Sequence, residues 1–150
     1  MDDIVNPSVD QTTATQKPYY KAHVFCCMNE REPGHRRGCC KERGGVELRA
    51  YMKTRARELK INRVRINQSG CLDRCELGPV MVIYPEGIWY TYKTEADVDE
   101  ILQTHLIDGQ VVSRLLLDPD QKEPKPYPSR PSGRRNKANS RSFPGVWWWS

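Results

Sequence analysis

Regular spacing of apolar residues is confined to the middle of the chain. Tyr20 to Met28 is rich in β-favouring residues and predicts a strand. Glu30 to Gly45 reads as a loop, punctuated by Pro33-Gly34, Gly38 and Gly44-Gly45. From Val46 to Lys60, Leu48, Met52, Ala56 and Leu59 recur on one helical face, with Arg49, Lys53, Arg57 and Lys60 elsewhere around it. Arg63 to Asn67 alternates Val64 and Ile66 with polar residues, as a strand does. Gly70 to Gly78 is a second loop. Val80 to Tyr84 is a short apolar run of the kind buried strands show. Pro85-Glu86-Gly87 turns it into a second strand, Ile88 to Lys93, making a hairpin. Thr94 opens a helix: its hydroxyl can accept an early backbone N–H, and Asp97 completes a capping-box pattern. Val98, Ile101, Leu102 and Leu106 form that helix's buried stripe, and Gly109 ends it.

The order strand, helix, strand, loop, hairpin, helix predicts an α/β fold. A strand–helix–strand start implies a parallel crossover, and the hairpin and last helix complete a small mixed sheet flanked by helices. Thioredoxin-like folds have this layout. The expected domain covers residues 19–117. Residues 1–18 are polar, hold two prolines and lack periodicity, which predicts disorder. Residues 118–150 mix Pro119, Pro124, Pro126, Pro128, Pro131 and Pro144 with Ser, Asn and Arg, which predicts a flexible tail.

Composition narrows the function classes. Only 37% of residues are hydrophobic, so the core is concentrated in the patterned segment. No apolar run approaches the length of a membrane span. Met1 to Gln16 carries Asp2, Asp3 and Asp10 and no apolar stretch, unlike a secretory signal. The expected compartment is therefore the cytoplasm, where cysteine clusters are more often metal sites or catalytic than disulfides. The net charge of +5 sits in the tail: residues 1–117 hold 17 Lys and Arg against 16 Asp and Glu, and residues 118–150 hold 7 against 3. The folded part thus carries no basic signature, and no nucleic-acid partner is expected.

The six cysteines carry the chemistry. Cys26-Cys27 and Cys39-Cys40 lie thirteen residues apart, and Cys71 and Cys75 are four apart. Thiolate sulfur is a soft donor, and four together favour zinc or an iron–sulfur cluster. Four cysteines from two loops can enclose a [2Fe–2S] cluster. Both loops follow predicted strands, so they can meet at one end of the sheet. Strand alternation sends Cys26 and Cys27 to opposite faces, so one of them faces such a site. The same economy applies to Cys39 and Cys40, and periodicity alone does not choose within either pair. The spacing departs from the Cys-x2-Cys knuckle of structural zinc sites. It also departs from the plant-type and bacterial two-cluster ferredoxin patterns and from a Cys-x-x-Cys redox centre.

Several motifs, in order, resemble the thioredoxin-like [2Fe–2S] ferredoxins: His23-Val24-Phe25-Cys26-Cys27, Pro33-Gly34-His35, Gly38-Cys39-Cys40 and Gly70-Cys71-Leu72-Asp73-Arg74-Cys75. Leu77-Gly78-Pro79-Val80 and Tyr84-Pro85-Glu86-Gly87-Ile88-Trp89-Tyr90 continue the match, which covers about residues 20–117. The resemblance implies Cys27, Cys40, Cys71 and Cys75 as ligands of a [2Fe–2S] cluster, leaving Cys26 and Cys39 extra. It implies a soluble one-electron carrier with no substrate chemistry of its own. It also implies a homodimer that meets donor and acceptor redox proteins. The same fold and cluster occur in subunits of larger oxidoreductases, and a zinc-stabilised interaction module is a third reading.

Positive charge near such a cluster should raise its potential, and the first loop carries Arg31, His35, Arg36, Arg37, Lys41 and Arg43. The plainer reading of each is a solvated charge. Backbone N–H groups of Gly38 and Gly70 are candidates for hydrogen bonds to sulfur. His23 and His105 fit structural positions in a strand and a helix. Trp89, Tyr90 and Tyr92 fit hairpin packing, and Tyr51 and Met52 helix packing. The tail ends Phe143-Pro144-Gly145-Val146-Trp147-Trp148-Trp149 beside Arg130, Arg134, Arg135, Lys137 and Arg141. Those residues could anchor a partner or a membrane surface; the plainer reading is an extension of no consequence.

Overall fold

The computed structural model describes residues 17–126. Residues 1–16 of the segment expected to be disordered, and residues 127–150 of the tail with Trp147, Trp148 and Trp149, lie outside the described residues. Six regular elements follow the expected order: β1 (Ala22–Cys27), α1 (Gly45–Glu58), β2 (Val64–Ser69), β3 (Val80–Tyr84), β4 (Ile88–Thr91) and α2 (Glu95–Ile101). The sheet order is β2-β1-β3-β4. β1 pairs parallel with β2 across α1, and β3 runs antiparallel to both β1 and β4. The sheet is thus mixed, with β1 inside it.

Alternation decides what each face does. Ala22, Val24 and Cys26 of β1 join Ile66, Met81, Ile83, Tyr90 and Tyr92 in the main core. Leu48, Met52 and Ala56 of α1 and Val98 and Ile101 of α2 close over them. Both helices therefore cover one face of the sheet. Burying side chains such as Met52, Ile101 and Leu102 contributes about 1.5–3 kcal/mol each. The opposite face carries a cross-strand row: Asn67 pairs with Phe25, Phe25 with Val82, and Val82 with Trp89.

Thr94 caps α2 as expected: its hydroxyl accepts from Asp97 N at 3.2 Å, and Asp97 Oδ2 accepts from Thr94 N at 3.1 Å. The helical path widens to a π-helix at Leu102–Ile107 before Gly109, at φ 72°, ends it. The stretch after it is a structural surprise. Val112, Leu115 and Leu117 are buried, Leu116 bridges Tyr90, and Leu117 N donates to Trp89 O at 2.9 Å. These residues extend the sheet's edge without forming a strand. Beyond them, Arg74 Nη2 donates to the carbonyls of Asp118 (2.6 Å) and Gln121 (3.2 Å), tying residues 118–121 to the second loop.

Candidate metal centre

β1 ends at Cys27, and its last two residues separate. Cys26 points into the helix-covered core with Val24. Cys27 packs on the other side with Cys40, Leu77, Val80 and Leu117. Cys40 stands just before α1, where Gly45 N donates to its carbonyl at 2.9 Å and Lys41 N donates to Asn29 O at 3.2 Å. Cys75 opens a single 3-10 turn, Cys75–Leu77, closed by Gly78 N donating to Cys75 O at 3.1 Å. Cys71 is the exposed member of its loop.

The Sγ atoms of Cys27, Cys40 and Cys75, all buried, lie within 4.8 Å of one another. Cys71 Sγ is 3.4 Å from Cys75 Sγ and extends the group towards solvent. All six cysteines are free thiols. Cys39 is fully buried outside this sulfur group. Cys26 is walled off beside Tyr92 and Arg49, and burial pushes its thiol up to about 12. The Tyr92 hydroxyl next to it makes no hydrogen bond of ordinary geometry.

The protons of the four thiols are unequally held. Cys27 is brought down to about 5, chiefly by the Cys40 thiol donating to it, against its own burial, with help from the N–H groups of Asn29 and Leu72. Cys40 is correspondingly raised, by that same bond and by burial. Burial would raise Cys71 too, but the Asp73 N–H, the Cys75 thiol and Arg31 outweigh it and lower it. Cys75 is raised by burial and by its bond to Cys71. Thiolate character at Cys27 and Cys71 is the form a metal binds.

The hydrogen-bond donors differ from the expectation for Gly38. Its N–H closes a turn on His35 O at 2.8 Å, with Gly38 at φ 62°, and so is spent within the loop. Asp73 N, held at φ 60°, donates to Cys71 Sγ at 3.3 Å. The N–H groups of Asn29 and Leu72 serve Cys27, and that of Val80 serves Cys40. Such backbone donors leave no side-chain signature in a sequence.

Two glycines let the backbone close around the sulfurs. A Cβ on Gly78 would stand 2.8 Å from Cys40 Sγ and 3.1 Å from Cys75 O. One on Gly45 would meet the carbonyls of Cys40 at 2.7 Å and Cys27 at 3.1 Å. Most of the loop cations are occupied elsewhere. Arg37 pairs with Glu76 and with Asp73, Lys41 with Glu30 at 2.5 Å, and Arg43 donates to Cys75 O. Arg31 alone of them hydrogen-bonds sulfur, reaching Cys71 and Cys75.

Four converging thiols with soft-donor chemistry, mutually hydrogen-bonded and cradled by glycine, fit a thiolate-bound metal or cluster. A mixed α/β sheet bearing such a group at one end defines a metal-binding protein of thioredoxin-like build. Comparison with known proteins narrows the class. No protein-family model matches the chain. It is 40% identical over 97 residues to a 2Fe-2S ferredoxin of Aquifex aeolicus (strain VF5), covering 63% of this chain and 87% of that one. It is 38% identical over 98 residues to a 2Fe-2S ferredoxin of Clostridium pasteurianum, covering 65% and 96%. The fold is similar to the wild-type thioredoxin-like [2Fe–2S] ferredoxin structure from Aquifex aeolicus, with a TM-score of 0.62, 37% identity, and coverage of 66% of this chain and 98% of that one. The chain belongs to the thioredoxin-like [2Fe–2S] ferredoxin family.

Proposed function

We propose that this protein is a soluble one-electron carrier whose [2Fe–2S] cluster is held by Cys27, Cys40, Cys71 and Cys75. The observation that carries the reading is the convergence of three buried sulfurs within 4.8 Å with Cys71 3.4 Å from one of them. A bound [2Fe–2S] cluster supplies a one-electron couple. The four cysteines would anchor it, the N–H groups of Asn29, Leu72, Asp73 and Val80 would stabilise negative charge on their sulfurs, and Leu77, Val80 and Leu117 would exclude water from the inner side. Cys71, exposed, marks the side open to a redox partner.

A carrier needs only a weak docking patch, and we assign this chain no substrate chemistry. Its partners are donor and acceptor redox proteins, its compartment the cytoplasm, and its assembly a homodimer. Among the described residues no helix is long and apolar enough to cross a membrane. Two of its relatives, of which it spans 87% and 96%, are themselves named 2Fe-2S ferredoxins, and that name supports a carrier over a relay subunit of a larger oxidoreductase. Metal analysis of the purified protein tests the reading. Iron with acid-labile sulfide supports it, and zinc without iron replaces it with an interaction module. Co-purification with a flavin- or nickel-bearing subunit would favour the relay.

A further inference from the structure

Six basic side chains line the first loop, and their partners divide them. Arg37 is neutralised by Asp73 and Glu76. Lys41 is paired with Glu30, and Arg43 is turned onto the Cys75 carbonyl. Arg36 is exposed. Arg31 is different: Nη2 lies 3.5 Å from Cys71 Sγ and 3.4 Å from Cys75 Sγ, bridging the two. Its other arm is buttressed. His35 Nδ1 accepts from Arg37 N at 3.2 Å, and Arg31 Nη1 lies 3.5 Å from the same nitrogen. The Pro33-Gly34 turn, with Gly34 at φ 82°, brings His35 back beneath Arg31.

We propose that Arg31, held by His35, sets the reduction potential of this carrier and fixes on which side negative charge is best accommodated. The proposal rests on Cys71 and Cys75 being ligands. Taking up one electron from a donor adds one negative charge to a site already rich in thiolate. A guanidinium against two of its sulfurs stabilises that extra charge more than it stabilises the oxidised form. Arg31 stays charged at every working pH, so its contribution does not titrate away. The flat fork serves two acceptors at once, which a lysine ammonium on a flexible stem does less well. Arg31 is therefore a positioning residue for charge, and it leaves the ligands themselves to the cysteines.

The test is spectroelectrochemical titration of the full-length, cluster-loaded protein and its R31Q, R31K, R36Q and H35A variants, with iron content and resonance Raman spectra recorded for each. R31Q should lower the reduced-to-oxidised ratio at fixed poise about tenfold, a fall of ~59 mV for a one-electron couple. R31K should recover part of that. R36Q, which removes the same charge from the same loop, should stay at the wild-type potential. H35A should fall by less than R31Q. The iron–sulfur stretching bands should move in R31Q and stay in place in R36Q. A loaded R31Q at the wild-type potential overturns the proposal, as does an equal fall in R36Q, which would mean a diffuse loop field. If R31Q cannot hold its cluster, H35A decides: a wild-type potential there overturns the proposal. Wild-type protein without iron would instead sink the ligand assignment.

Discussion

Cys26 and Cys27 are adjacent thiols put to different uses by one half-turn of a pleat. Cys26 enters the core under α1, where burial holds it protonated; Cys27 lies within 4.8 Å of the Cys40 and Cys75 sulfurs and is brought down to about 5, chiefly by the Cys40 thiol. Substitution by serine should separate the uses. Cys27→Ser, Cys40→Ser, Cys71→Ser and Cys75→Ser should each alter the visible absorption spectrum, while Cys26→Ser and Cys39→Ser should leave it nearly unchanged. Cys26→Ser should change the denaturant midpoint little, because the serine hydroxyl falls beside the unpartnered Tyr92 hydroxyl, which can hydrogen-bond it. A spectrum changed by Cys26→Ser and unmoved by Cys27→Ser would shift the ligand register. Gly78 has a different burden. Gly78→Ala pushes a methyl against Cys40 Sγ, so it should destabilise the loaded protein by about 1–3 kcal/mol and lower its iron content. Urea midpoints and iron per chain measure both. The motifs named four cysteines as expected ligands, and the fold brings the sulfurs of Cys27, Cys40 and Cys75 within 4.8 Å of one another, with Cys71 Sγ 3.4 Å from Cys75 Sγ. The crowding at Gly78 was not, because two loops distant in sequence must meet before anything is close to it.

Elements were legible where their pattern is local. Val80–Tyr84 is apolar throughout and appears as β3 with those ends, and Thr94 with Asp97 marked the start of α2 through the cap itself. Residues 110–117 were not, since Val112, Leu115 and Leu117 follow neither period and are ordered only by what they pack on. That packing runs through a buried polar link. Val112 N donates to Tyr90 Oη at 3.1 Å, and the same hydroxyl lies 2.7 Å from His105 Nδ1. Burial lowers His105 below its ordinary 6.5, against the pull of Glu86 at 3.8 Å. The unfolded chain therefore takes up this proton first as pH falls, so the link's contribution is complete above about pH 6.5 and declines below it. The melting temperature of wild-type protein should drop more steeply from pH 7 to pH 5 than that of His105→Asn. Parallel profiles would show that His105 carries none of the acid sensitivity.

At the scale of the whole molecule, the order of elements sufficed for the mixed sheet, since a strand–helix–strand start leaves few alternatives. Which face stays open was beyond it, because that depends on α1 and α2 lying side by side. The face without helices carries half-buried Phe25 and Trp89 on either side of the buried Val82, with Tyr84 46% exposed beside them and the Arg74 guanidinium 5.1 Å from the Trp89 ring centre. We expect the proposed homodimer to form there, and light scattering should give twice the chain mass for wild type and a lighter species for a Phe25→Lys, Tyr84→Lys double variant. A monomeric wild type would contradict it. Arg74 also holds Asp118 and Gln121, so this face, the second cysteine loop and the start of the C-terminal segment form one structure. The central claim is that the four sulfurs hold a [2Fe–2S] cluster working as a one-electron couple. Electron paramagnetic resonance of the purified protein, silent as oxidised and showing a spin-half signal of one electron per chain after chemical reduction, is the predicted result. A colourless protein, silent in both states and carrying zinc, would contradict it.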